Sequence, residues 1–215
     1  MKLFVNGCSH SAGDGTSTLA NSWPNQLAGL LGADLINYSL SGASNQRMIR
    51  TTREWLSSID VQKKHFVIIG WSSWEREEWY HNQQFYQVNA GGHSRLPREL
   101  KDRYMKYVSQ LDNNGYVNAA KDTEEEIYQL AEDLQYYQVE YLFFNSFMQI
   151  SETLKNNRWD YRYMTPFSNE LNYFTYLEQA GHLPESGRHF KDVAQTTWAQ
   201  VVFQYIKKHY DIQPH

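Results

Sequence analysis

The chain has 215 residues, which is enough for one α/β core with insertions. Its net charge is −4. Lys and Arg are spread along the chain and form no runs, so no nucleic-acid partner is expected. No apolar stretch approaches the roughly 18 residues that cross a bilayer, which predicts a protein without a membrane partner. The single cysteine, Cys8, cannot form an internal disulfide, and the N-terminal residues contain no long apolar run, so a cytoplasmic location is expected.

The first third of the chain alternates between predicted strands and helices. Pro24 suits the first turn of a helix, and Gly32 follows its last apolar residue. The residues from His65 to Gly70 are a continuous apolar run that ends in glycine, typical of a buried strand. The predicted elements are, in chain order, strand 2–6, helix 23–31, strand 34–38, helix 48–59 and strand 65–70.

The alternation is interrupted over residues 71–138, an aromatic-rich segment with predicted helices near 97–111 and 123–137. A fourth strand is predicted at 139–145, an irregular Tyr-rich stretch at 156–173 and a closing amphipathic helix at 191–210. This order predicts a single α/β domain over residues 1–215, in which a mostly parallel sheet is covered on both faces. We therefore expect a flavodoxin-like three-layer sandwich with an aromatic-rich helical insertion.

Four loops of this predicted fold carry side chains suited to chemistry. In a parallel sheet, ligands bind beyond the carboxyl ends of the strands, so loops at that edge converge. Ser9 follows the first strand and can present a hydroxyl, and Gly42, after the second strand, exposes a backbone N–H. Ser72 and Ser73 follow the third strand, and His189 precedes the closing helix.

The order and spacing of these pieces resemble the SGNH (GDSL-like) hydrolase family. Gly7-Cys8-Ser9 is similar to the family's Gly-Asp-Ser block, with cysteine in the aspartate position, and the segment ending in Gly42 is similar to its second block. His189 resembles the histidine before the last helix. The resemblance implies that Ser9 is the nucleophile and His189 the general base of ester hydrolysis. It also implies that the Gly42 N–H helps to bind the oxyanion, and that no cofactor is needed.

This chain departs from the family's pattern in two blocks. The third block has Gly70-Trp71-Ser72 in place of Gly-x-Asn, so hydroxyls of Ser72 or Ser73, or the amide of Asn45, are candidate oxyanion donors. The fifth block lacks its aspartate, since Ser186 stands three residues before His189.

Several replacements for that aspartate remain open. Glu185 is one residue further back, a backbone carbonyl of residues 183–187 is a neutral alternative, and a Ser–His dyad is a third. A different alignment makes His182 the base, although His189 fits better because Ala194 and Ala199 then follow at the expected spacing.

The predicted function is hydrolysis of a carboxylic ester, in which the insertion shapes the substrate pocket. Its aromatic residues favour a small-molecule or carbohydrate ester over a long lipid chain. One alternative is a catalytically silent binding module of the same fold. Another is a nucleotide-binding flavodoxin-like protein, although residues 7–15 lack both the P-loop lysine and the spaced glycines of a dinucleotide site. No metal site is expected, because Cys8 and His10 alone do not form one.

Overall fold

The computed structural model describes residues 1–92, 95–111, 113–185 and 188–212. The strands are β1 (Lys2–Gly7), β2 (Asp34–Asn37), β3 (His65–Trp71), β4 (Glu77–His81), β5 (Gln84–Val88), β6 (Glu140–Asn145) and β7 (Tyr163–Met164). The helices are α1 (Ser9–Ala12), α2 (Trp23–Leu31), α3 (Asn45–Leu56), α4 (Lys101–Ser109), α5 (Asn113–Tyr136), α6 (Tyr173–Gln179) and α7 (Asp192–His209). No helix among these residues is both long and apolar enough to cross a membrane.

A five-stranded parallel sheet forms the centre of the molecule, with the strand order β2-β1-β3-β6-β7. Helices α3 and α5 pack on one face, where Met48, Trp55 and Leu130 are buried with Phe4 of β1. Helices α2, α6 and α7 pack on the other face, where Leu27 and Trp198 are buried. These two apolar layers confirm the predicted three-layer α/β fold.

Local sequence explains where α2 begins and ends and why α3 begins at Asn45, three residues before the predicted start. Pro24 occupies the first turn of α2, and Gly32 ends that helix in the left-handed conformation at φ 59°. The Ser44 hydroxyl caps α3 by accepting from the Arg47 N–H. In α7, the row containing Ala194 and Trp198 is buried, whereas Val193 is exposed.

The insertion is not only helical, which corrects the prediction for residues 71–138. Strands β4 and β5 form an antiparallel hairpin, closed by Asn82 and Gln83 at φ 47° and 62°. Left-handed residues at both central positions are what a two-residue hairpin turn requires. Only Trp79 and Val88 of this hairpin are buried, and they pack against Tyr104 and Tyr107 of α4. The weak apolar alternation of such short strands explains why the pattern did not reveal them.

The hairpin is fixed to the start of α3, beside the loop that follows β2. The Gln87 side-chain oxygen accepts from the Ser44 N–H at 2.9 Å. Glu78 forms a half-buried ion pair with Arg50 at 2.7 Å, and its N–H donates to Gln46. The insertion therefore lies against the carboxyl edge of the sheet. The short strand β7 lies within the Tyr-rich stretch that was expected to be irregular, and α6 begins at the last residue of that stretch, Tyr173.

Candidate active site

Two glycines allow the strand ends beneath the site to pack closely. Gly7 of β1 and Gly70 of β3 are register partners in neighbouring strands. A Cβ on Gly7 would lie 2.5 Å from Ser11 Oγ, and a Cβ on Gly70 would lie 2.6 Å from the Phe144 ring. Real Cβ atoms do not approach other atoms so closely, so only glycine lets the chain turn back over these strand ends.

Ser9 begins the short helix α1, directly beyond the end of β1. The Ser9 carbonyl accepts hydrogen bonds from the N–H groups of Gly13 and Asp14, both at 3.1 Å. Gly13 adopts φ 94°, which ends the helix and turns the chain. Ser9 is 7% exposed, so the tight turn holds it within the protein at the carboxyl edge of the sheet.

His189 packs against the same loop, although the two segments are far apart in sequence. A Cβ on Gly15, which has φ 90°, would lie 2.8 Å from the Cβ of His189 and 3.0 Å from the Phe190 carbonyl oxygen. The ring centroids of His10 and His189 are 5.4 Å apart. The structure thus brings the loop after β1 and the segment before α7 into direct contact. The assignment of Ser9 and His189 as a reacting pair stays a prediction.

The carboxylate that faces the His189 imidazole belongs to Asp14. Its Oδ2 lies 3.9 Å from His189 Nε2, an ion-pair distance that is longer than a hydrogen bond. The same oxygen accepts a 2.7 Å hydrogen bond from the Ser41 hydroxyl. Asp14 therefore connects the loops after β1 and β2 with the segment before α7. Asp14 is the only acidic residue in residues 7–15, so the sequence could have indicated it as a candidate. The resemblance to the SGNH family instead directed the search for an acid to the residues just before His189.

Glu185, the predicted orienting acid, is engaged elsewhere. Its Oε1 lies 2.5 Å from Lys191 Nζ, and both side chains are exposed. Only its backbone contacts His189, through a 2.9 Å hydrogen bond from the Glu185 N–H to the His189 carbonyl. The role of Glu185 as orienting acid stays a prediction, and in this structure its carboxylate is paired with Lys191. Ser186 and Gly187, which the sequence placed in the same motif, lie outside the described residues.

The alternative base, His182, lies against α7. Its Nε2 is 2.9 Å from the hydroxyl of Thr197, a residue of that helix. His189, and not His182, is the histidine that contacts the loop carrying Ser9.

Gly42 faces open space beside the insertion. It has φ 78°, and no atom lies within 4 Å of where its Cβ would be. A cavity of about 400 Å³ opens there, with Phe85, Tyr86 and Gln87 of β5 in its wall. The hairpin therefore lines a cavity at the residue that was predicted to contribute an oxyanion N–H.

The predicted substitutes for the family asparagine bind one another. Asn45 Oδ1 accepts from the Ser72 N–H at 2.7 Å, and its Nδ2 donates to the Ser72 carbonyl at 3.3 Å. Both residues are buried, and the Ser72 hydroxyl has no hydrogen-bond partner among the described residues. Ser73 is half-buried, and its carbonyl accepts from the Arg76 N–H. The Asn45 side chain thus links the backbone just after β3 to the start of α3.

His10 is a buried residue of this region that the sequence reasoning left without a role. It is 1% exposed and packs against Phe147 and Tyr173 at centroid distances of 4.6 and 4.8 Å. Burial, with smaller contributions from His189 and Arg76, lowers the pKa of His10 to about 3. Its imidazole is therefore neutral at physiological pH.

We next consider whether the described residues contain a cluster of side chains that could bind a metal ion. Across residues 1–92, 95–111, 113–185 and 188–212, no group of three or more His, Cys, Asp or Glu side chains is arranged to hold a metal ion.

Solved structures with this architecture include esterases and lipases. The psychrotrophic esterase EstA from Pseudoalteromonas sp. aligns with a TM-score of 0.55 and 15% identity, over 96% of this chain and 97% of EstA. The lipase Lip_vut3 from a goat rumen metagenome has a TM-score of 0.57 and 11% identity, over 99% of this chain and all of that one.

A carbohydrate esterase family 2 enzyme from Corynascus thermopiles (Myceliophthora fergusii) gives a TM-score of 0.51 and 11% identity. The alignment covers 96% of this chain and 65% of that one, whose structure includes a carbohydrate-binding domain. At such low identities, these comparisons show a shared fold.

Comparison with curated protein sequences gives no match. A family model does match, over residues 3–198, and it describes a family of unknown function, DUF6071. Because the match extends from β1 into α7, it includes every loop of the candidate site. The chain belongs to the DUF6071 family.

Proposed function

We propose that this protein is a serine esterase of SGNH type, with Ser9 as nucleophile and His189 as general base. The observation that carries the proposal is the packing of Gly15 against His189, which joins the Ser9 loop to the segment before α7. This contact lies at the carboxyl edge of a sheet whose fold is shared with known esterases and lipases.

The proposed reaction follows from these groups. His189 takes the hydroxyl proton as Ser9 Oγ bonds to the ester carbonyl carbon, and the N–H groups of Ser9 and Gly42 stabilise the negative oxygen. The carbon–oxygen bond to the alcohol then breaks, and His189 returns the proton to the departing alcohol. Water hydrolyses the acyl-enzyme by the same route, which restores the Ser9 hydroxyl.

Asp14 takes the place of Glu185 in this proposal. Its carboxylate faces one imidazole nitrogen of His189, which leaves the other nitrogen for the Ser9 hydroxyl. A negative charge at this position stabilises the imidazolium that forms as Ser9 attacks. The acid would therefore come from the first loop of the chain, and not from the segment just before the histidine.

The proposed substrates are short acyl esters, including acetyl esters of carbohydrates. The cavity beside Gly42 has a volume of about 400 Å³ and is walled partly by Phe85 and Tyr86, which suits a ring better than a long chain. One of the proteins of similar fold is a carbohydrate esterase.

A catalytically silent binding module remains the second candidate, and the Asn45 contacts favour it. Because the Asn45 amide is bonded to the Ser72 backbone, its contribution to an oxyanion hole is reduced. Loss of one such donor commonly costs about 100- to 1,000-fold in rate.

Labelling with a fluorophosphonate distinguishes the two candidates, since only an activated serine reacts. We expect the wild-type protein to be labelled, Ser9→Ala and His189→Ala to lose labelling, and Ser57→Ala, at an exposed serine after α3, to keep it. Hydrolysis of short-chain aryl esters and acetylated sugars is measured alongside. Labelling that persists in Ser9→Ala contradicts the assigned nucleophile, and unlabelled, inactive wild-type protein supports the binding module.

A further inference from the structure

The outer side of the last helix, α7, carries a long stripe without charge. Residues 193–206 contain no Lys, Arg, Asp or Glu, although Asp192 precedes them and Lys207 and Lys208 follow them. The exposed residues of this segment are spaced by three or four positions, so they lie along one side of the helix. This stripe consists of Val193, Thr196, Gln200 and Gln204. The solvent side of a surface helix normally carries charged residues, so an uncharged stripe with Val193 70% exposed favours contact with another surface.

A groove of about 870 Å³ lies directly beside the stripe, between α7 and the segment that contains α6. Its floor is apolar and half-buried, with Leu171 and Tyr176 on one side and Val201 and Tyr205 of α7 on the other. All four residues of the stripe also line the groove. Among the described residues of its wall, Lys208 at one end is the one that carries a charge. A ridge of neutral side chains and an apolar groove therefore share one surface.

This pairing of ridge and groove fits a second copy of the same chain. In a two-fold symmetric dimer, one surface patch contacts the identical patch of the partner. The ridge of each copy then enters the groove of the other, which is how helices pack in general. Thr196, Gln200 and Gln204 suit contact with their own kind, because hydroxyl and amide side chains both donate and accept hydrogen bonds.

The charges at the two ends of α7 determine the direction of the pairing. Asp192 and Lys208 are each eight positions from Gln200, in opposite directions along the chain. With the symmetry axis at Gln200 and the helices antiparallel, Asp192 of each copy faces Lys208 of the partner subunit. Neither residue forms an ion pair with a described residue of its own chain. The opposed helix dipoles add to this attraction.

Helix geometry allows these two ion pairs to form. Eight residues of α-helix span about 12 Å, and two helices that cross at about 20° are displaced sideways by only about 4 Å at that distance from the axis. A lysine side chain can reach across this displacement. The Asp192 carboxylate is held at the start of α7 by hydrogen bonds from Ser17 and Asn21, so its position is fixed before a partner binds.

We propose that the protein forms a two-fold symmetric dimer through α7, with the two helices antiparallel and the symmetry axis near Gln200. The stripe of one copy fills the groove of the other, and the pairs of Asp192 with Lys208 flank the contact at both ends. Neither Ser9 nor His189 lines this groove, so the inference is independent of the proposed function.

Sedimentation velocity of the full chain tests whether the dimer exists. We expect the wild-type protein to sediment as a dimer within a range of about 1 to 100 µM. A monomer at every concentration overturns the proposal and leaves the groove to a different partner.

Opposite charges at Gln200 test the position of the axis. Gln200→Glu and Gln200→Lys each place two like charges opposite one another, so each variant alone should dimerise about 10-fold or more weakly. An equimolar mixture of the two variants should recover the dimer, because unlike charges then meet at the axis. Gln129→Glu and Gln129→Lys are the matched controls, since Gln129 is exposed on α5 on the opposite face of the sheet. A dimer that the Gln200 variants leave unchanged, or a mixture no tighter than either variant alone, overturns the proposal.

Reversal of the charge of Lys208 tests the antiparallel direction. Lys208→Glu should weaken the dimer by about threefold or more, because two carboxylates then face Asp192 of the partner subunit. Lys155→Glu, at an exposed lysine that lies outside α7, should leave the dimer unchanged. In a parallel pair, Lys208 would face its own counterpart instead, and the reversal would not weaken the contact. An unchanged or tighter dimer in Lys208→Glu therefore contradicts the proposed arrangement.

Discussion

Replacement of Asp14 by asparagine tests which carboxylate assists His189. The substitution removes the negative charge while keeping the size of the side chain and an oxygen that can accept from the Ser41 hydroxyl. Because Asp14 Oδ2 lies 3.9 Å from His189 Nε2, the lost interaction acts mainly on the imidazolium that forms during attack.

The size of the effect follows from that distance and from exposure. Two unit charges 3.9 Å apart interact by about 1 kcal/mol in water and about 4 kcal/mol at an effective dielectric constant near 20. The two side chains are 23% and 36% exposed, so solvent screens the pair in part. We therefore expect a loss of about 1–3 kcal/mol, or roughly 5- to 150-fold in kcat/KM.

The assay is hydrolysis of 4-nitrophenyl acetate by wild-type protein, Asp14→Asn and Glu185→Gln, after circular dichroism has shown that each variant is folded. Glu185→Gln removes a carboxylate that is exposed and paired with Lys191, so its rate should change by less than about twofold. An unchanged rate in Asp14→Asn, together with a loss of more than about tenfold in Glu185→Gln, would refute the reasoning and return Glu185 to the role of orienting acid.

Two further predictions concern stability. Gly15→Ala should destabilise the fold by about 2–4 kcal/mol, since the new Cβ meets His189 at 2.8 Å and φ is 90°. Gly29→Ala, where nothing lies within 4 Å, should stabilise α2 by about 0.5–1 kcal/mol in the same urea unfolding assay; equal shifts would contradict the close packing. His10 is neutral when folded but protonates below pH 6.5 when unfolded, so the free energy of unfolding should fall by up to about 1.4 kcal/mol per pH unit between 6.5 and 3. His10→Gln should lose that component, and a difference between the two proteins that is independent of pH would argue against a buried neutral imidazole.

Several features of the fold could be predicted from the amino-acid sequence because each depends on neighbouring residues. The apolar run of β3, the helix from Trp23 to Leu31 and the buried row of α7 all follow from local periodicity and from Pro and Gly positions. The alternation of strands and helices further predicts that the loops carrying Ser9, Gly42 and the segment before α7 converge.

The partners within the candidate site follow from tertiary structure alone. Asp14 faces His189 because Gly15 lets the first loop pack against the segment before α7, and this contact joins residues 175 positions apart. Glu185 is closer in sequence to His189, yet its carboxylate pairs with Lys191. Sequence proximity alone therefore does not reveal which carboxylate faces His189, since the direction of a side chain depends on the packing of the loop.

The same reason applies to the other side chains that the pattern did not connect. Asn45 bonds to the Ser72 backbone, and Arg76 reaches Ala43 and Phe147, because parallel strand pairing aligns the ends of β1, β3 and β6. Periodicity reports which face of an element is buried, but not which side chains meet across two elements. Which of these side chains meet is decided by long-range contacts, which exist only in the folded chain.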